Sequence, residues 1–318
     1  MRKRPADRTH GEAERNERAG SHREQAEATE GHGGAPWSFD ALLPADIARR
    51  AEAVGVAKAA TRLDRLVVLG VLAGAFISLG AVFSTVVTAA GGMAPGLTRL
   101  LAGLTFSLGL VLVVVAGAEL FTGNALLVIA TASRRVRIRA LLHNWLIVYV
   151  ANFAGALLTT LFVYWSGMYE SAGAGPGVRA LEIAATKTSL GFREAVLLGV
   201  LANALVCLAV WLSLSARSVA DKVLAVVFPI TAFVAAGFEH SIANMYFIPA
   251  GLSIKAWAPG SFWATAGVTA VDYPTVTWRD FLVGNLLPVT IGNIIGGAVL
   301  VGLVYWFVYL RGPEVDVS

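Results

Sequence analysis

The chain has 318 residues, 56% of them hydrophobic and only 14% charged, with a formal net charge of +4. That balance excludes an ordinary soluble domain and points to an integral membrane protein. No basic patch is interleaved with exposed aromatics, so no nucleic-acid partner is expected.

Residues 1–40 are mixed in charge and almost free of large apolar side chains, which predicts a disordered cytoplasmic tail. No apolar core comes after Arg2-Lys3-Arg4, so cleavage as a signal peptide is not expected, and His10, His22 and His32 are expected to be solvated rather than metal-binding. Over residues 41–65, Ile47, Ala51 and Val54 share one helical stripe, with Arg49, Arg50 and Lys58 available to headgroups. This pattern predicts a short amphipathic helix on the inner membrane surface. Residues 66–312 form the candidate transporter domain, and residues 313–318 a short C-terminal tail.

A spanning helix needs roughly 17 to 25 apolar residues. Runs of that kind occur at Leu66–Ala90, Leu100–Ala132, Trp145–Trp165, Ala195–Leu214, Val223–Trp257 and Leu286–Leu310. The second and fifth are too long for one straight helix. Each contains the same signature, Gly117-x-Glu119-x4-Asn124 and Gly237-x-Glu239-x4-Asn244. A carboxylate at membrane depth is costly, so each of these runs is expected to be two half-helices joined by an irregular piece. Glu119 and Glu239 are then structural acceptors for backbone N–H groups freed at the breaks, or else groups on an ion pathway. Cys207, the only cysteine, lies inside the fourth run and is expected to fill space.

The repetition extends further. Gly70-Val-Leu-Ala73 returns as Gly199-Val-Leu-Ala202, and Asn152-x-x-Gly155 with Tyr164-Trp165 returns as Asn293-x-x-Gly296 with Tyr305-Trp306. The Asn-x-x-Gly elements suit close helix packing. Three segments pair with three in the same order, which indicates an internal duplication. An odd number of spans per copy inverts the second copy in the membrane and places a binding site near the midplane. The fold class expected is therefore an all-α membrane protein of six transmembrane helices, arranged as two inverted three-helix repeats with the second and fifth helices broken. Arg134, Arg135, Arg137 and Arg139 crowd one short loop, and Arg217, Lys222 and Arg311 share its face. By the positive-inside rule both termini are cytoplasmic. Trp257, Trp263 and Trp278 suit the outer interfacial belt.

Glu119-Leu-Phe-Thr-Gly-Asn124 and Gly237-Phe-Glu-His-Ser-Ile-Ala-Asn-Met245, together with Pro288-Val-Thr-Ile-Gly-Asn-Ile-Ile-Gly-Gly297, resemble the signatures of the formate/nitrite transporter family, and most nearly its formate channels. The resemblance runs from about residue 66 to 310. It implies an aquaporin-like fold, a homopentamer with one pore per protomer in the inner (plasma) membrane, no cofactor or metal, and permeation of small monovalent anions or their acids. By the same resemblance, His240 matches the central pore histidine and Thr122 the threonine of the first break. Lys187, Asn203 and Asn244 match the polar residues of the outer vestibule and centre, and Leu110, Phe121, Val206 and Phe233 the apolar constrictions. Gly123-Asn124 stands where formate channels often carry Ser-Thr, which leaves the preferred anion open among formate, nitrite, hydrosulfide, acetate and lactate.

Elementary electrostatics gives these residues a mechanism of their own. An anion crossing apolar rings uncompensated costs several kcal/mol or more, whereas the neutral acid costs far less. A vestibule lysine and half-helix N-termini can attract the anion, and a buried imidazole oriented by Thr122 and Asn244 can pass it a proton. Against this stand plainer roles: His240 as a hydrogen-bonded core residue, Lys187 as a solvated loop lysine, and Phe121 and Phe233 as packing aromatics. An intramembrane enzyme using His240, Ser241 and Glu239 is disfavoured because consecutive helical residues project apart. A neutral-solute pore is the remaining alternative.

Overall fold

A computed structural model describes residues 42–312 except residue 90; the tails at 1–40 and 313–318, with His10, His22 and His32, lie outside the described residues. Every regular element described is helical.

Helix α1 (Pro44–Ala59) starts with proline at a position whose N–H would have no partner anyway. Its Ile47, Ala48 and Ala51 are buried in one apolar cluster with Ala125, Ile129 and Trp211. The amphipathic stripe thus packs on protein, where a surface helix was expected to face lipid. The first copy continues with α2 (Leu63–Thr88), α3 (Pro95–Phe106), α4 (Leu108–Ala116), a 3₁₀ segment Gly123–Leu127, α5 (Val128–Ala132) and α6 (Ile138–Trp165). A connecting helix α7 (Ser171–Thr188), with left-handed backbone at Ala172–Ala174, leads to the second copy. That copy comprises α8 (Phe192–Ser215), α9 (Val219–Ala235), α10 (Ser241–Trp257), a short α11 (Gly260–Ala266) and a last span, Asp280–Tyr309. The last span has an α-helical middle, α12 (Leu287–Ile294), between two π-helical stretches and ends in α13 (Val304–Tyr309).

Among the described residues five helices are long and apolar enough to cross a bilayer. The remaining expected span is the pair α9 and α10, of 17 residues each, separated by the second break. Helix α9 opens on a capping box, in which Ser218 Oγ accepts from Asp221 N and Asp221 Oδ2 accepts from Ser218 N. Those bonds hold the Asp221 carboxyl below its ordinary range, the Ser218 N–H contributing most.

Both copies pack the same way. Helix α2 lies on α6 and α8 on the last span, while α3 and α9 cross between the copies. A Cβ at Gly155 would run into Val71 O, and one at Gly296 into Val200 O, so the Asn-x-x-Gly elements mark the closest helix approach in each copy.

Candidate functional site

Each break begins with a glycine in the left-handed region, Gly117 at φ 82° and Gly237 at φ 76°, which ends the preceding helix at no side-chain cost. The irregular segment beyond the glycine is held by matching bonds in the two copies. In the first copy Asn152 Oδ1 accepts from Phe121 N at 3.0 Å, and its Nδ2 donates to Gly70 O at 2.8 Å and Glu119 O at 2.9 Å. In the second Asn293 Oδ1 accepts from Ser241 N at 2.9 Å, and its Nδ2 donates to Gly199 O at 2.8 Å and Glu239 O at 2.9 Å. Buried backbone groups left free by a helix break need partners, and one asparagine on the third span of each copy supplies them.

The carboxylates do something other than expected. Glu119 accepts from Lys58 Nζ at 2.8 Å and Asn124 Nδ2 at 2.7 Å; Glu239 accepts from Lys187 Nζ at 2.8 Å and Asn244 Nδ2 at 2.7 Å. Their partners are side chains rather than freed backbone N–H groups. Asn144 Oδ1 and Asn285 Oδ1 take the second protons of Asn124 and Asn244, at 2.9 and 2.7 Å. Lys58 therefore belongs to this network and not to the headgroups. Lys187, expected in a loop, lies in the last turn of α7 with its side chain 15% exposed, its ammonium 5.5 Å from the Phe247 ring centre.

Two cavities flank the breaks. One, of about 250 Å³, is bordered by Arg99, Arg179, Lys187, Glu239 and His240, and also by Phe106, Phe233 and Phe247. The other, of about 260 Å³, is bordered by Arg50, Lys58, Lys222, Glu119, Leu110 and Leu120. Each brings three cationic side chains against one carboxylate. Phe106 faces the Lys187 cavity and Leu110, four residues on, faces the Lys58 cavity. Along this span the positions that border the two cavities are thus about one helical turn apart, roughly 6 Å, with a wall of apolar side chains between them.

The imidazole of His240, 2% exposed, sits in that wall. Its Nδ1 accepts the Ala243 N–H at 3.1 Å and so caps α10, while its Nε2 lies 2.9 Å from Thr122 Oγ1. A backbone N–H can only donate, so Nδ1 carries no proton in this geometry and a neutral ring holds its proton on Nε2, aimed at Thr122. The Phe233 ring lies 5.9 Å from the imidazole and 5.7 Å from Phe106.

The remaining expected residues divide. Asn244 does not orient the ring: its side chain is turned to Glu239 and Asn285, and its Oδ1 has no protein partner. Asn203 donates to Asn293 O at 2.6 Å, bracing the last span and making no hydrogen bond to the histidine. Phe121 turns away from both cavities onto Tyr149 and Trp145, with ring centres 4.9 and 6.1 Å away. Its neighbour Leu120 and the unexpected Phe106 take the cavity-facing positions. Val206 is buried in the core and borders neither cavity, while Cys207 donates to Thr122 O at 3.3 Å and so touches the first break. Glu239, His240 and Ser241 point to three different places, as successive residues should: to Lys187, to Thr122, and, for Ser241 Oγ, to no hydrogen-bond partner. Lys58, Asn144, Asn152, Asn285 and Asn293 were not anticipated as members of the site. The signal was present, since Asn144-x7-Asn152 matches Asn285-x7-Asn293 and Lys58 precedes Gly70 by the spacing that separates Lys187 from Gly199.

Comparison with known proteins agrees with this architecture. The chain is 48% identical over 274 residues to the formate channel FocA of Escherichia coli K12, covering 86% of this chain and 96% of that one. A solved structure described as a pentameric formate channel with formate bound superposes with a TM-score of 0.75 at 43% identity, covering 78% of this chain and 98% of that one. A second, an FNT family ion channel, gives a TM-score of 0.70 at 27% identity, covering 83% and 98%. The family model for the formate/nitrite transporter matches residues 45–307, and with the doubled breaks and their networks in place the chain belongs to that family.

Proposed function

We propose that this protein carries small monovalent weak-acid anions, formate first, through a pore in each protomer of a pentamer, and that His240 supplies the protonation on which passage depends. The substrate and the fivefold assembly are carried over from the relatives whose names state them. The observation that carries the mechanism is a single imidazole in an apolar wall between two cationic cavities. In this reading the chain lies in the inner membrane with both termini cytoplasmic. The Lys58 cavity faces inward, and residues 66–312 form the transport domain, to which α1 adds Lys58.

Arg99, Arg179 and Lys187 draw the anion toward the wall, where Phe106, Leu110 and Phe233 make its charge too costly to carry further. Thr122 accepts from His240 Nε2–H, which leaves its own hydroxyl proton free to bond an arriving anion. A proton taken from solvent at Nδ1 displaces the Ala243 N–H, and the ring then releases its Nε2 proton through Thr122 to the anion; loss of the Nδ1 proton to solvent and uptake of one at Nε2 through Thr122 restore the capped ring. The balance is one anion and one proton in, one neutral acid onward. Because the ring at rest is neutral and capped, the supply of protons sets the rate.

The test is formate flux into proteoliposomes over a series of external pH values. Wild-type flux rises as the outside becomes more acid, and both His240→Phe and Thr122→Val lose that rise. Equal flux from wild type and His240→Phe at every pH rejects the proton role.

A further inference from the structure

We infer that a third cavity, which shares no bordering residue with the two at the breaks, binds the phosphate-bearing headgroup of an anionic membrane phospholipid. It has a volume of about 1030 Å³ and lies where α1, the turn after α5 and the end of α13 meet, bordered by Arg49, Glu52, Arg134, Arg135, Trp306 and Arg311 among others. Four guanidiniums face one carboxylate. Arg135 pairs with Glu52 at 2.9 Å and Arg49 with Asp46 at 2.8 Å, whereas Arg134 and Arg311 have no carboxylate partner among the described residues. Forked guanidinium donors match the oxygens of a phosphodiester.

Two further observations select the ligand. Arg134 holds φ 62°, immediately beyond α5, at a helix end where glycine or asparagine is the usual occupant. A long cationic side chain stands at this position against backbone preference, and it borders this cavity. The second is the wall. Trp306 Nε1 donates to Ser133 Oγ at 3.1 Å, tying α13 to the arginine turn, and Val308, which borders the cavity, is 59% exposed, while the neighbouring Phe307 ring carries the Arg311 guanidinium at 4.8 Å. A soluble anion gains nothing from that apolar flank, whereas acyl chains lie along it while the headgroup meets the arginines. Basic pockets at the cytoplasmic ends of spanning helices recognise anionic lipid in this way.

The experiment uses the full-length protein, delipidated in mild detergent, with thermal unfolding and native mass spectrometry measured after addition of phosphatidylglycerol, phosphatidylcholine or inorganic phosphate. Phosphatidylglycerol should raise Tm by several degrees and leave retained lipid adducts, and phosphatidylcholine should do neither. The double variant Arg134→Asn/Arg311→Gln should lose the shift and the adducts while keeping its lipid-free Tm, because asparagine tolerates the left-handed backbone. Arg311→Gln alone, which leaves that turn untouched, should lose part of the shift. Equal shifts from both lipids, or a phosphatidylglycerol shift that survives in the variants, would overturn the inference. A shift given equally by inorganic phosphate would replace lipid with a soluble phosphate ligand and overturn it too.

Discussion

The two breaks share a scaffold and differ at its centre. Gly117 and Gly237, Glu119 and Glu239, Asn124 and Asn244, with their partners on neighbouring helices, make corresponding bonds in both copies. Between them the first copy has Leu120-Phe121-Thr122 and the second His240-Ser241-Ile242. By that alignment His240 stands where the first copy has leucine, and Thr122 where the second has isoleucine. The bonded pair at the middle of the wall therefore takes one member from each copy, at positions that do not correspond. Backbone broken inside a membrane admits few solutions, so the scaffold is the same twice, while side chains facing the pore are free to differ.

The sharpest way to break this comparison is to separate the two things His240 does. Its Nδ1 caps α10, a role the first break lacks, since no side chain caps the segment beginning at Gly123. Asparagine is among the best N-caps, so His240→Asn keeps the cap without the imidazole. Unfolding temperature should stay within a few degrees of wild type while acid-stimulated formate flux falls by about tenfold or more, the factor that ~1.4 kcal/mol on a barrier produces. A variant as active as wild type, with its pH dependence intact, would make the ring a helix cap and nothing more.

Next in size is the scaffold. Removing Asn152 or Asn293 orphans one buried N–H and one carbonyl at the break, the glycine carbonyl keeping its helical bond, at roughly 1–3 kcal/mol for each orphaned group. Asn152→Ala and Asn293→Ala should each cost at least about 2 kcal/mol in denaturant or thermal unfolding, and by similar amounts. A large loss in one and none in the other would show that the breaks are held differently.

The lysines should sharpen the contrast. Lys58 Nζ bonds both Glu119 and Asn124 Oδ1, the latter at 2.9 Å, whereas Lys187 bonds Glu239 and leaves Asn244 Oδ1 unpartnered. Lys58→Met should therefore lower stability more than Lys187→Met, by about 1 kcal/mol, the worth of the extra bond. Flux should respond in the opposite order, Lys187→Met raising the formate concentration needed for half-maximal uptake. The same rank in both assays would count against separate roles for the two cavities.

Much of this was legible in the sequence, for identifiable reasons. Spanning helices announce themselves by apolar length, and a carboxylate beside glycine inside such a run marks a break because nothing else tolerates it there. Helix α7 went unseen because Gly173, Gly175, Pro176 and three charged residues in Ser171–Thr188 imitate a loop; its packing on α10 outweighs its composition. The asparagines at 152 and 293 were hidden by the glycines three residues on, whose packing role accounted for the motif by itself. Phe121 was expected as a constriction from the resemblance, with a packing aromatic as the plainer role; its turn onto Tyr149 and Trp145 was not legible because the chain is irregular at residues 117–122, and without a helical period a sequence does not say which way a side chain turns.

The smallest effect probes how the copies are joined. Tyr149 and Thr290 occupy corresponding positions on the third span of each copy, counted from Asn152 and Asn293, and they bond each other at 2.8 Å. Thr290 Oγ1 gives its proton to Leu286 O at 2.7 Å, so the tyrosine hydroxyl is the donor. Tyr149→Phe removes that donor and leaves Thr290 with its other partner, so no buried N–H or O–H is stranded. The loss should be about 1 kcal/mol, the net worth of one hydrogen bond, against about 2 or more for the asparagines. Because the bond touches neither cavity, the pH profile of formate flux should not move. A shift in that profile would mean that the contact between copies sets the position of the wall, and the central pair could no longer be treated apart from the scaffold around it.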